Sequence, residues 1–329
     1  MRFKKFLISL GAVCAFGLLI GCASDEDTID TVNLKAGFST GESDPRVIAT
    51  KLFKEEVEKN TDGRITIDIY TDSELGADSD LIKGIVNGTV DITASSAGNF
   101  SSYDPNVGIS AFPFLFSNFE DAWFFVDGEI EEKAESELPE NNIRVIGHYD
   151  NGFRCITTSE NFGPINSVSD MDGLIIRTPE NQIVMQTMLM LGAEPKVLPF
   201  NELYDALKNG TFEAQENPIP VIYNSKLYEV QKNLAITNHS YDVLLFVIRE
   251  DIWSKLSESD REIIYQAAEK AQTKNRELIK SQTEEYVDKL TELGMNITTP
   301  NLYEFKKATS GATEIFKDTY DADLLSLIR

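Results

Sequence analysis

The chain has 329 residues, 42% apolar and 26% charged, the balance of a sequence that folds rather than one that stays disordered. Thirty Lys and Arg against 54 Asp and Glu give a net charge of −24, which argues against nucleic acid, whose binding needs clustered cations to displace counterions. Two His, and three Cys without paired spacing, leave little material for a His/Cys metal centre or a thiol-redox site.

In chain order, Arg2, Lys4 and Lys5 precede an apolar run over residues 6–20, then Gly21 and Cys22. A basic start followed by such a run reads as a secretory signal over 1–21, because spanning a bilayer takes roughly 20 apolar residues. Leu19-Ile20-Gly21-Cys22 resembles the lipobox of bacterial lipoproteins, in which the Cys is acylated and becomes the new N-terminus. Residues 22–31 then form a polar, lipidated tether, and the protein is expected outside the cytoplasm, anchored on the periplasmic side or outer face of the cell membrane. The mature chain carries 27 basic against 54 acidic residues, a charge of −27. Cys14 leaves with the signal and Cys22 is lipidated, so Cys155 stands alone and reads as a small apolar filler.

From Val32 onward, short apolar segments alternate with amphipathic helical ones, the pattern of an α/β protein. Strands are expected at 32–38, 64–70, 90–95, 143–149, 153–158, 174–178, 212–216 and 234–249. Helices are expected at 44–60, where Ile48, Leu52, Phe53 and Val57 share a face, and at 78–87, 180–192 and 201–209. The run Leu81-Ile-Lys-Gly-Ile-Val-Asn-Gly88-Thr-Val-Asp91 is echoed by Leu203-Tyr-Asp-Ala-Leu-Lys-Asn-Gly210-Thr-Phe-Glu213. Each is a helix closed by Gly in a left-handed conformation before a strand, suggesting two lobes of similar build. The longest element runs from Ser257, whose spacing to Asp260 is an acidic variant of a capping box, to a stop at Gly294. At 1.5 Å per residue it would be roughly 55 Å long, enough to bridge both lobes.

No Gly-rich phosphate loop, His-Glu-x-x-His helix, Gly-x-Ser-x-Gly elbow or Ser-x-x-Lys pair occurs. His148 and His239 read as satisfied core or edge residues, and the acids as a solvated face. Two arginines differ. Arg154 follows Asn151-Gly-Phe, and Arg177 ends the apolar strand Gly173-Leu-Ile-Ile-Arg177-Thr-Pro179. Ligands of open α/β folds bind beyond the carboxyl ends of strands, and a guanidinium there matches a carboxylate bidentately. Spacing alone leaves an equal alternative, an Arg reaching out to pair with surface acids.

The run from Gly152-Phe-Arg154 through Ile165-Asn-Ser-Val-Ser-Asp-Met-Asp-Gly173-Leu-Ile-Ile-Arg177-Thr-Pro-Glu-Asn181, Leu191-Gly-Ala-Glu-Pro195, Leu198-Pro-Phe200-Asn-Glu-Leu-Tyr204 and Gln215-Glu-Asn217-Pro218 resembles the solute-binding proteins of tripartite ATP-independent periplasmic (TRAP) transporters. Glu74-Leu-Gly76, Gly88-x-x-Asp91 and Phe112-Pro-Phe-Leu-Phe116 match the first lobe of that family. The resemblance implies a two-lobe periplasmic-binding-protein-like fold with crossing strands and a long bridging helix. The first lobe would comprise 32–152 plus about 242–275, the second 153–241 plus about 276–329. It implies a non-enzymatic protein without cofactor that captures an organic acid in the interlobe cleft and delivers it to a membrane permease. Arg177 would grip the ligand carboxylate with help from Arg154 and Asn217, Phe200 would pack on the ligand, and Ser96 and Asn99 would meet its far end. With Asn151 and Tyr223, those two suggest a hydroxylated ligand such as a uronate. A ligand sensor uncoupled from transport, a secreted hydrolase and an ABC-type substrate binder are the competing expectations.

Overall fold

The computed structural model describes residues 29–328. The signal segment, Cys22 and most of the tether lie outside them. The described residues form one nine-stranded sheet in the order β2-β1-β3-β8-β4-β7-β5-β6, with β9 also on β8. The strands are β1 (Val32–Gly37), β2 (Ile65–Tyr70), β3 (Ile92–Ser96), β4 (Ile143–Thr158), β5 (Ile175–Thr178), β6 (Glu194–Val197), β7 (Ala214–Pro218), β8 (Asn233–Arg249) and β9 (Asn296–Thr298).

In the first lobe β1, β2 and β3 are parallel, connected through α1 (Pro45–Asn60) and α2 (Asp78–Asn87). Asp44 caps α1, its carboxylate accepting the Arg46 N–H at 2.9 Å, with Pro45 at the first helical position, where its missing N–H costs nothing. Two short helices, α3 (Phe119–Val126) and α4 (Glu129–Ala134), follow. In the second lobe β5 pairs in parallel with β6 and β7. Here α5 (Gln182–Met190), α6 (Leu203–Lys208) and α7 (Ile219–Asn224) are the helices. The repeated helix-Gly-strand unit is present in both lobes: Gly88 and Gly210 take φ of 85° and 72° and lead into β3 and β7.

β4 and β8 run antiparallel along almost their whole length and belong to both lobes. β3 pairs with Leu244–Ile248 of β8, whereas β7 pairs with Arg154–Thr158 of β4. Two strands expected at 143–149 and 153–158 are thus one. The Asn151-Gly152 break is a β-bulge, in which Gly152 takes φ 106° and the register slips without ending the strand. After α8 (Glu250–Trp253), α9 (Glu258–Glu292) spans both lobes at about 52 Å. Ser257 caps the Asp260 N–H at 3.1 Å, and Arg64 clasps the Asp260 carboxylate at 2.6 and 3.0 Å. The first half of α9 places Ile264, Ala267, Ala268 and Ala271 in the core formed by β1 and α1. The second half places Tyr286 and Leu290 in the core around Ile222 and Leu227. Between them, Gln272 and Asn275 accept the N–H groups of His148 and Asp150 at 2.7 and 2.6 Å. These amides satisfy backbone groups of bulged β4, which an apolar seam could not do.

β6 and β9 were not legible, being short, polar strands without apolar alternation. Beyond α10 (Leu302–Thr309), α11 (Ala312–Ile315) and α12 (Ala322–Leu327) close the chain. Ala312, Phe316, Tyr320 and Leu324 share a cluster with Ile109 and Phe112 of the first lobe and Ile183 of the second. This tail, expected wholly with the second lobe, reaches across to the first.

Candidate functional site

The lobes meet where β1, β3, β5 and β7 present their carboxyl ends, next to the β4 bulge. A cavity of about 40 Å³ there is lined by Arg46, Arg154 and Arg177, by Ser39, Thr40, Asp78, Ser96, Asn99, Asn151 and Asn217, and by Phe200. It adjoins a space of about 70 Å³ that shares Asp78, Asn99, Arg177 and Phe200. Of the residues singled out from sequence, Tyr223 is absent from this gathering. Its ring lies 4.1 Å from that of Tyr286 on α9 and 5.9 Å from that of Tyr228. On α7 it is Val221, two residues earlier and roughly 200° around the helix, that lines the cavity.

The two arginines have opposite electrostatic situations. Arg154 is saturated. Its Nε and Nη2 hold both oxygens of Glu216, Nη2 also donates to the Glu216 carbonyl at 2.8 Å and the Asn217 Oδ1 at 3.3 Å, and Nη1 donates to Asp242. Glu216 is fully buried, which raises its pKa, yet Arg154 and His239 outweigh burial and hold it below the usual range. The expectation that Arg154 helps grip a ligand carboxylate meets a guanidinium whose charge is already answered by two acids.

Arg177 is 3% exposed, and its Nε and Nη2 donate to the Leu198 carbonyl at 2.9 and 2.7 Å. Among the described residues no carboxylate forms an ion pair with it. Burial lowers its pKa to about 10 against opposing pulls from Glu216 and, more weakly, Asp78, with Arg154 acting in the same sense as burial. It therefore stays cationic at neutral pH while paying for desolvation, a charge that an incoming anion would compensate.

The remaining walls are hydrogen-bonding groups held in place. Asp242 accepts from Ser96 Oγ at 3.1 Å and Asn151 Nδ2 at 2.8 Å as well as from Arg154. Asn151 Oδ1 accepts from Arg46 Nη2 at 3.1 Å, and Arg46 pairs with Asp44 at 3.0 Å. Asn217 donates to Gln215 at 2.6 Å, and Asn99 to Ser95 at 3.1 Å. Asp78, at the first position of α2, accepts both Ser39 and Ser95 hydroxyls on Oδ1 at 3.0 Å, and no described donor engages its Oδ2. The Thr40 hydroxyl is buried with no partner among the described residues.

Sequence reasoning missed Arg46 and Asp78. Both had a signal: each sits in the first turn of a helix that follows a strand's carboxyl end, after Asp44-Pro45 and Gly76-Ala77. Cys155 is buried, its thiol pushed up to about 11 by burial, in keeping with a filler role.

Comparison with known proteins agrees with this architecture. The family described as DctP, bacterial extracellular solute-binding protein, family 7, matches residues 36–319. The 2,3-diketo-L-gulonate-binding periplasmic protein YiaO of Escherichia coli K12 is 31% identical over 267 residues, 81% of each chain. A TRAP periplasmic solute-binding protein from Polaromonas sp. JS666, solved with D-erythronate, superposes with a TM-score of 0.87 at 32% identity, covering 90% of this chain and 98% of that one. The sugar acid binding protein DctPAm of Advenella mimigardefordensis, solved with galactonate, also gives 0.87, at 28% identity and 91% and 97% coverage.

Proposed function

The chain belongs to the family-7 bacterial extracellular solute-binding proteins, and from that premise we propose that it captures a monocarboxylic sugar acid between its lobes and hands it to a TRAP-type permease. The observation that carries this reading is Arg177: a buried guanidinium lining the cavity, tied to one backbone carbonyl and, among the described residues, to no carboxylate. The ligand carboxylate takes the Nη1 side of that fork, which the Leu198 carbonyl leaves free, with the charge-assisted geometry that Lys could not reproduce. Phe200 packs on the ligand's carbon skeleton. Ser96, Asn99, Asn151 and Asn217 supply donors and acceptors to hydroxyl groups, and Asp78 Oδ2 accepts one more.

Asp78 also narrows the class. A carboxylate in the same lining as Arg177 repels a second ligand carboxylate and welcomes a hydroxyl, so an aldonate or similar polyol acid fits better than a dicarboxylate. Relatives solved with D-erythronate and galactonate support the same class. Arg154 acts through Glu216 and Asp242, holding the crossing strands and the Asn217 amide in place. Cys22 carries the lipid that keeps the mature protein at the membrane surface.

A thermal-shift and calorimetric panel of aldonates, uronates, C4-dicarboxylates and alditols tests this. A ligand at 100 times its Kd adds about 2.7 kcal/mol of stability. Aldonates should shift the melting curve and alditols should not; a response to alditols but to no acid would refute the carboxylate site. Coupling to transport, as against sensing alone, predicts that deleting the gene abolishes uptake of the bound acid.

A further inference from the structure

The space beside Arg177 is small, and a much larger one adjoins it. At roughly 10–15 Å³ for each water-sized group, the inner spaces of about 40 and 70 Å³ hold fewer than about a dozen such groups. Outward from Arg177, between α2 and the turn after β3 on one lobe and the start of α5 on the other, lies a chamber of about 700 Å³. Ser79, Asn99 and Glu180 border both this chamber and the 70 Å³ space beside Arg177, so the two are neighbours. The outer walls carry Ser102, Tyr103 and Lys83 from the first lobe and Gln182 from the second. That is a hydroxyl, a ring and an amide, and the Lys83 cation is matched in number by the Glu180 carboxylate in the same lining, which is near-neutral and carries donors, acceptors and an aromatic surface. A second anionic group finds no surplus charge there, but the hydroxyls and ring of a neutral sugar do find partners. The other opening of the cleft, of about 610 Å³, is lined by Glu42, Asp44 and Asp72 with no Lys or Arg, and disfavours an anion's approach.

We infer that the cleft has two subsites and that the outer chamber receives a neutral sugar residue linked to the acid held by Arg177, making an aldobionic acid a ligand. This rests on the carboxylate role of Arg177 proposed above. The test is calorimetry of the mature chain with gluconate and galactonate against cellobionate and lactobionate, repeated on Ser102→Trp and Gln182→Trp, exposed positions whose indole would intrude on the outer chamber. The expected result is that an aldobionate binds at least tenfold more tightly than its aldonate. Both Trp variants should erase that advantage while leaving the aldonate Kd within about twofold. Binding of aldonates with rejection of aldobionates, or equal losses for both in the variants, overturns the outer subsite and leaves the inner one standing. If neither class binds while other acids do, the sugar-acid reading itself falls, and the outer subsite with it.

Discussion

Replacing Arg177 with Met separates a binding residue from a structural one, because the two roles predict opposite balances of affinity and stability. The lowering of the Arg177 pKa from 12.5 to about 10 means that the free protein bears a cost of about 3 kcal/mol to keep that guanidinium charged. Arg177→Met removes this cost and keeps much of the aliphatic stem. It strands the Leu198 carbonyl, at about 1–3 kcal/mol, so unfolding free energy by urea titration should stay within about 2 kcal/mol of wild type. Affinity for an aldonate should fall by about 2–5 kcal/mol, roughly 30-fold to several thousand-fold in Kd by calorimetry. Arg177→Lys should lose most of the same affinity, since an ammonium cannot present the planar fork. Aldonate binding within threefold of wild type, in a variant that has lost several kcal/mol of stability, would mean that Arg177 holds the fold and that the anion sits elsewhere.

Arg154→Met should behave in the opposite way, costing about 3–5 kcal/mol of stability in urea because Glu216 and Asp242 are left buried without their cation. Asp78→Asn should improve the affinity for a C4-dicarboxylate relative to an aldonate by about tenfold in competition calorimetry, by removing like-charge repulsion; an unchanged ratio would remove Asp78 from the selectivity argument. His148 has its pKa raised: burial opposes the charged ring, but the charge of Glu135 and its hydrogen bond at 2.7 Å outweigh it. Its stabilising contribution is therefore complete below the unfolded imidazole value of about 6.5 and is lost as pH rises through the raised folded value. The stability difference between wild type and His148→Gln should shrink as pH rises from about 6 toward alkaline pH. Cys22→Ser should move the protein from the membrane to the soluble fraction of cells; a wild-type protein that is already soluble would contradict lipidation.

Much of the fold was legible because its signals are local. Alternation in 64–70, helical spacing in 44–60 and the two Asn-Gly stops fix elements whose side chains meet near neighbours. The joining of 143–149 to 153–158 was not legible, because a Gly at φ 106° serves a bulge as well as a turn, and only pairing with β8 decides between them. The same locality divides the site. Arg177 announced itself by ending an apolar strand before Pro179. That it forms no ion pair among the described residues while Arg154 pairs with two acids depends on Glu216 and Asp242, which lie 62 and 88 residues from Arg154. Tyr223 was misplaced for a simpler reason: a short helix with apolar residues on several sides does not reveal which side meets the cleft and which meets α9.

The most direct measurement is a crystal structure of the mature chain with a bound aldonate. The ligand carboxylate should lie within about 3 Å of the Arg177 guanidinium, with its hydroxyls toward Asp78 and Asn99 and with Arg154 still paired with Glu216 and Asp242. A carboxylate on Arg46 or Arg154 instead, with Arg177 turned to a protein acid, would contradict this placement.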